Sequence, residues 1–197
     1  MEVPIMVLSE AYQKAFNYAF TLHRSQKRKG SGIPYLTHLI SVSSLVMENG
    51  GGETEAIAAL LHDAAEDQGG EKTLQEIENL FGKKVASIVK ECSDSLSSSP
   101  DEREEWKARK DKYLASLTHK SPEAILVTLA DKLHNARSIL HDYQIKGEAL
   151  WDLFQGKKVG SLWYYNSILE ILGEKYADSR LFQELKTVIS QLESLSA

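Results

Sequence analysis

The 197 residues carry 42% hydrophobic and 26% charged side chains, ordinary proportions for a globular chain with a substantial core. A formal net charge of −5 argues against broad nucleic-acid binding, which rests on neutralising phosphates. No apolar run approaches the ~20 residues of a membrane-spanning helix, and a lone cysteine, Cys92, excludes an intramolecular disulfide and fits a reducing compartment.

The opening M-E-V-P-I-M-V-L has no basic start and too short an apolar stretch for a signal peptide, so a cytoplasmic location is expected. Ser9 caps a predicted helix to about Gln26, with Ala15, Ala19 and Leu22 on one side. Lys27 to Pro34 reads as a glycine-rich loop closed by proline. A helix from about Leu36 to Glu48 stops at Gly50-Gly51-Gly52, and the next runs from about Glu53 to Asp67. Thr73 to Glu76 reads as a capping box opening a short helix to Gly82, followed by another to about Cys92. Ser93 to Pro100 is a serine-rich loop. From Ser98 onward a charged helix is expected, acids early and bases late. Ser121-Pro122 opens a long helix, and helices over Leu162–Tyr176 and Arg180–Leu195 complete the chain. Strand-like alternation is absent. The expectation is an all-α fold with residues 1–197 as one helical-bundle domain.

The run L-L-H-D-A-A-E-D at the end of the 53–67 helix is the most informative segment. His62 and Asp63 offer a neutral nitrogen and a carboxylate to one metal. Helical spacing aligns Glu66 with His62, and Asp67 with Asp63. Burying four such groups costs several kcal/mol each unless they are paired or bind metal. Further ligands are sought among His23, His38, Asp131, His134 and His141. Asp131 lies mid-helix beside the stripe Leu126, Leu129, Leu133, Ala136 and Leu140, with Asn135 and Ser138 on its own face. It is read as a metal ligand, with a buried ion pair as the alternative.

Three segments in order, R-K-G-S-G-I-P-Y-L-T-H, H-D-A-A-E-D and L-A-D-K-L-H-N-A-R-S, resemble the hydrolase domain of the RelA/SpoT family within the HD metal-dependent phosphohydrolases. The chain is similar in size to the small alarmone hydrolases and metazoan SpoT homologues, and the resemblance runs from about Ala11 to Tyr143. It implies an HD-type helical bundle that removes pyrophosphate from the 3′ position of guanosine tetra- and pentaphosphate. It also implies His38, His62, Asp63 and Asp131 as ligands of a divalent ion, Mn²⁺, with Glu66 and Asp67 activating or positioning water. Arg28, Lys29 and Asn135 would meet the nucleotide. An aromatic of Trp163-Tyr164-Tyr165, here Tyr164, would cover it or bond a 5′ phosphate. No synthetase domain follows, so nothing points to alarmone synthesis.

The remaining candidates carry less. The basic cluster Lys27-Arg28-Lys29 stands out in an acidic chain as a dock for a polyphosphate. Lys107, Arg109, Lys110 and Lys158 read as exposed charges that could instead receive 5′ phosphates. His23 reads as a core or surface histidine rather than a support for a ligand, and His134 as a neighbour of the substrate. Two other enzymes share these ligands: an HD-type nucleotidase or phosphatase, and a hydrolase of adenosine alarmones. A non-catalytic alarmone sensor has no reason to keep all six acids and histidines. The partner expected is a small nucleotide, neither nucleic acid nor membrane, with the oligomeric state left open.

Overall fold

Ser9 caps the first helix, its side-chain oxygen accepting from the Ala11 N–H at 3.1 Å. A computed structural model describes residues 7–97 and 104–196. Its helices are α1 (Glu10–His23), α2 (Leu36–Glu48), α3 (Glu53–Leu61), α4 (Ala64–Asp67), α5 (Glu71–Phe81), α6 (Lys83–Cys92), α7 (Trp106–Ser116), α8 (Pro122–Lys146), α9 (Lys157–Tyr176) and α10 (Arg180–Leu195). Two 3-10 segments, Leu117–His119 and Gly147–Leu153, join α7 to α8 and α8 to α9. Among the described residues the other regular feature is one isolated antiparallel bridge, Lys27 to Pro34. The all-α expectation holds, and among the described residues no helix is long and apolar enough to cross a membrane.

α3 occupies the centre. Ala56, Ile57, Ala58, Ala59, Leu60 and Leu61 are all buried, the pattern of a helix surrounded on every side. It packs against α1, α2, α6 and α8, and α10 lies along α8. The core joins Leu39, Val42 and Val46 of α2 to Leu129, Leu133 and Ala136 of α8. Ser121 caps α8 with its side chain on the Ala124 N–H, and Pro122 holds the first position as expected.

Five boundaries differ from the sequence reading. α1 ends at His23 instead of Gln26. The helix expected over 53–67 breaks at His62-Asp63, where Asp63 adopts φ −95°, ψ −4°, a backbone region favoured at functional sites. The capping box at Thr73 is not formed: α5 begins at Glu71, and Thr73 lies inside it with its hydroxyl donating to the Gln68 carbonyl at 2.6 Å. α9 begins five residues earlier than Leu162, at Lys157. The charged helix begins at Trp106, so Glu104 and Glu105 precede it; residues 98–103, with the expected start at Ser98, lie outside the described residues. Gly70 shows why glycine stands before α5: its φ is +63°, and a Cβ there would sit 2.3 Å from the Leu96 carbonyl oxygen. That close approach brings the 93–97 segment against the end of α4.

Candidate metal centre and adjoining cavity

In a regular helix adjacent side chains diverge by about 100°. His62 and Asp63 nonetheless meet in the turn between α3 and α4, with His62 Nε2 3.0 Å from Asp63 Oδ2. His38 arrives from the first turns of α2 and Asp131 from the middle of α8. His38 Nε2 lies 3.2 Å from Asp131 Oδ1 and 3.5 Å from Asp63 Oδ2, and His62 Nε2 lies 3.6 Å from Asp131 Oδ1. His38, His62 and Asp131 each offer a ligand atom within 4.8 Å of the others, and all three are buried. Asp63 flanks this trio.

The donor chemistry fits a cation. The Nε2 atoms of His38 and His62 are buried without a hydrogen-bond partner, although carboxylate oxygens stand within salt-bridge range. The opposite ring nitrogens are committed. His62 Nδ1 donates to the Ala59 carbonyl at 2.8 Å, which leaves Nε2 as the electron-pair donor. His38 Nδ1 lies 2.8 Å from His134 Nδ1. Burial, with His38 and Arg28 nearby, lowers His134 to about 4, so it is neutral and available as the acceptor. Burial opposes charge on His62, yet Asp63 and Asp131 outweigh it and hold the ring well above its ordinary value. The pocket therefore attracts positive charge. Asp63 and Asp131 stay ionised: burial opposes this, but His62 and His38 for Asp63, and Lys132 with both histidines for Asp131, keep each carboxyl well below the carboxylate range.

Above this set opens a cavity of about 480 Å³. Glu66, Asp67, Tyr35 and Asn135 lie on its wall nearest the histidines, and Lys27, Arg28, Lys29, Arg109 and Lys110 supply cations. Asn135 joins the two levels, donating from Nδ2 to Asp131 Oδ1 at 2.5 Å and accepting from Arg28 Nη2 at 2.7 Å. Lys29 is exposed at the rim. Tyr164 lines the cavity with its hydroxyl buried and without a partner, and Tyr165 lines it as well. Trp163 instead meets Trp106 and the Lys107 amine. Lys158 pairs with Glu148 and the Ser196 carbonyl, away from the cavity. Arg109 and Lys110 do reach it, both anchored on buried Asp94, Arg109 at 2.7 Å and Lys110 at 2.6 Å.

Sequence reasoning missed four residues. Tyr35 donates its hydroxyl to Asp63 Oδ2 at 2.6 Å. Lys132 places its amine 2.7 Å from Asp131 Oδ2, so the buried ion pair weighed as the alternative at Asp131 exists beside the histidine-facing oxygen. Asp94 holds the two cations of α7 and donates its backbone N–H to Glu66 Oε2 at 3.1 Å. Gln26 relays His23 to the acids: its Oε1 accepts from His23 Nδ1 at 2.7 Å and its Nε2 donates to Asp67 Oδ2 at 2.8 Å. His23 is thus a buried member of the site's surroundings, held neutral by burial. Tyr35 carried a signal, since it stands inside the I-P-Y-L-T-H segment.

Glu66 titrates unlike its neighbours. Burial, reinforced by the charges of Asp94 and Asp63, pushes its carboxyl from 4.5 up to about 8. Positive charge at the histidine set is what would ionise it near neutrality. A carboxyl whose folded pKa is raised binds its proton more tightly when folded. It disfavours the folded state increasingly as pH climbs from the unfolded value toward the folded one. Metal-free wild-type protein is therefore expected to lose thermal stability relative to Glu66→Gln between pH 4.5 and about 8, by roughly 1–4 kcal/mol at the upper end. Unfolding curves for the two proteins that run parallel across this range would show that Glu66 is already ionised.

A family model described as HD domain matches residues 15–154. A mouse protein named guanosine-3′,5′-bis(diphosphate) 3′-pyrophosphohydrolase MESH1 is 38% identical over 136 residues, covering 66% of this chain and 72% of that protein. A probable guanosine-3′,5′-bis(diphosphate) 3′-pyrophosphohydrolase of Synechocystis is 30% identical over 183 residues, 89% of this chain, which spans only 23% of that longer protein. The solved structure of a metazoan ortholog of SpoT, described as hydrolysing ppGpp and acting in starvation responses, superposes with a TM-score of 0.78 at 27% identity, covering 95% of this chain and 98% of the other. A Listeria monocytogenes structure at 24% identity and TM-score 0.67 shares the fold. The match across most of the chain, together with the constellation of His38, His62, Asp63 and Asp131, shows that this chain belongs to the HD-domain family, in the group that holds the metazoan SpoT homologues.

Proposed function

We propose that this protein is a metal-dependent hydrolase that releases pyrophosphate from the 3′ position of ppGpp or a closely related alarmone. The observation that carries this is the pair of buried, unpartnered imidazole nitrogens facing Asp131 beneath a cavity with a cationic wall. Kinship with proteins named for that reaction supports it. In this reading residues 1–197 act as one domain, and a nucleotide substrate supports a cytoplasmic location.

His38, His62 and Asp131, with Asp63, hold the ion. A mixed nitrogen and oxygen donor set without thiolate is compatible with Mn²⁺. When bound, a divalent cation supplies Lewis-acid polarisation and a more acidic water. Tyr35 donates to the Asp63 oxygen that faces the histidines, and Lys132 holds the Asp131 oxygen that faces away from them, so both carboxylates are fixed in place. Glu66 and Asp67 orient the attacking water and take its proton. Water adds to the phosphorus bonded to the 3′ oxygen and that P–O bond breaks. Pyrophosphate carries the added oxygen away, and the 3′ oxygen takes a proton. Arg28, Lys29, Asn135 and Tyr164 hold the nucleotide so that its 3′ group stays over the histidines. Arg28 is pre-set for this by its bond to Asn135.

The test is a panel of 3′-pyrophosphorylated nucleotides with Mn²⁺ and the purified protein, products identified. Pyrophosphate and the nucleoside 5′-diphosphate are expected, and exhaustive chelation is expected to stop turnover. Orthophosphate as the sole product would favour a simpler nucleotidase, and turnover undiminished by chelation would remove the metal from the mechanism.

A further inference from the structure

We propose that Asp142 reads the base of the nucleotide and makes the site selective for guanosine over adenosine. The inference rests on the nucleotide reading of the cavity given above. Asp131, Asn135, Ser138 and Asp142 recur at i, i+4, i+7 and i+11 on α8 and share one face. Eleven residues make three turns, about 16 Å of helix. One face of α8 therefore runs from the histidine set at one end to Asp142 at the other, with Asn135, Ser138 and Asp142 all on the cavity wall. A nucleotide whose 3′ group sits at the histidines extends along this face.

Asp142 is out of place in a phosphate site. The acids Glu66 and Asp67 serve the histidine end, and the rest of the charged wall is dominated by cations. A carboxylate at the far end repels phosphate, so it favours a ligand that presents hydrogen-bond donors there. Asp142 is half-buried and joins no ion pair among the described residues. Lys146, one turn on, has its amine committed to the Gly30 carbonyl at 2.6 Å. The position of Asp142 is set by the loop above it. Gly30 has φ +89°, and a Cβ there would stand 3.0 Å from Asp142 Oδ2 and 3.4 Å from Leu153 Cδ1. Phe154, next to Leu153, also lines the cavity. Carboxylate and aromatic ring thus line the same cavity, suited to a flat heterocycle with donors on its edge.

Guanine presents two parallel donors on one edge, N1–H and the 2-amino group, and a carboxylate accepts both at once. Adenine presents a lone pair at N1, which faces a carboxylate without a proton between them. The same residue therefore attracts one purine and rejects the other.

Binding of guanosine and adenosine 5′-diphosphates, measured by calorimetry, reports this contact without turnover. Wild-type protein is expected to prefer the guanosine form by ~10-fold or more, and Asp142→Asn to reduce the preference to within about 3-fold, mainly by weaker guanosine binding. Inosine 5′-diphosphate, which keeps N1–H but lacks the 2-amino group, is expected to fall between the two on wild-type protein. Hydrolysis of ppGpp is followed in parallel. An unchanged guanosine-to-adenosine ratio in Asp142→Asn overturns the proposal, as does wild-type protein that binds both diphosphates equally or neither. If the ratio collapses in the variant while wild-type protein fails to hydrolyse ppGpp, base reading stands and the hydrolase reading falls. If ppGpp is hydrolysed and the ratio is unchanged, the reverse holds.

Discussion

Replacing His62 with alanine is expected to lower ppGpp hydrolysis by roughly 10³-fold or more, the several kcal/mol that a Lewis acid contributes to phosphoryl chemistry. His62 supplies one of the two unpartnered imidazole nitrogens that face Asp131. The variant is also expected to lose its metal, measured by elemental analysis after gel filtration. Helix content should survive, because α3 is held by six buried apolar residues and His62 adds only a bond to the Ala59 carbonyl. Turnover and metal content both matching wild type would remove His62 from the centre. A protein that keeps its metal but not its activity would make His62 a group acting on substrate.

The second large effect concerns stability. Lys132→Met is expected to destabilise the metal-free protein by roughly 3–5 kcal/mol, because it strips one oxygen of a buried carboxylate of its cationic partner. Lys132 and Asp131 have side-chain exposures of only 13% and 10%, so little solvent screening softens the loss. For a chain of this size that corresponds to a fall in thermal midpoint of roughly 6–20 °C. Saturating Mn²⁺ is expected to recover part of the difference, since a cation on the other oxygen of Asp131 offsets the missing charge and binds the folded state. A variant that melts with wild type in the absence of metal would show that Asp131 is solvated or protonated instead of paired.

These two residues also mark the division between what the residue pattern reveals and what the fold adds. His62 announces itself, because four ionisable groups among alanines and leucines on a helix have no structural use. Lys132 does not. It follows Asp131 directly, and neighbours on a regular helix diverge by about 100°, so the spacing argument places it off the Asp131 face. It reaches Asp131 Oδ2 while its amine stands 5.1 Å from the Tyr113 ring centre and 5.7 Å from that of Tyr164, rings that come from α7 and α9.

Local rules carried the rest of the helical reading. The caps at Ser9 and at Ser121-Pro122 and the stop at the Gly50–Gly52 run depend on a few adjacent residues, so composition along the chain suffices to place them. The H…HD…D set was legible for a related reason: metal chemistry restricts residue type so strongly that identity stands in for position. The tertiary structure decided what depends on distant segments meeting. His62 and Asp63 meet each other and His38 and Asp131 from two other helices, where helical spacing alone would have paired them with Glu66 and Asp67. Tyr35 reaches Asp63 across 28 positions, and Arg28 reaches Asn135 across 107. Asp94, in a serine-rich stretch read only as a loop, becomes the anchor of two cavity cations once Gly70 admits that stretch against α4. Such pairings are set by packing of the whole chain, where hydrophobic burial fixes which faces meet and the polar groups take the partners left within reach.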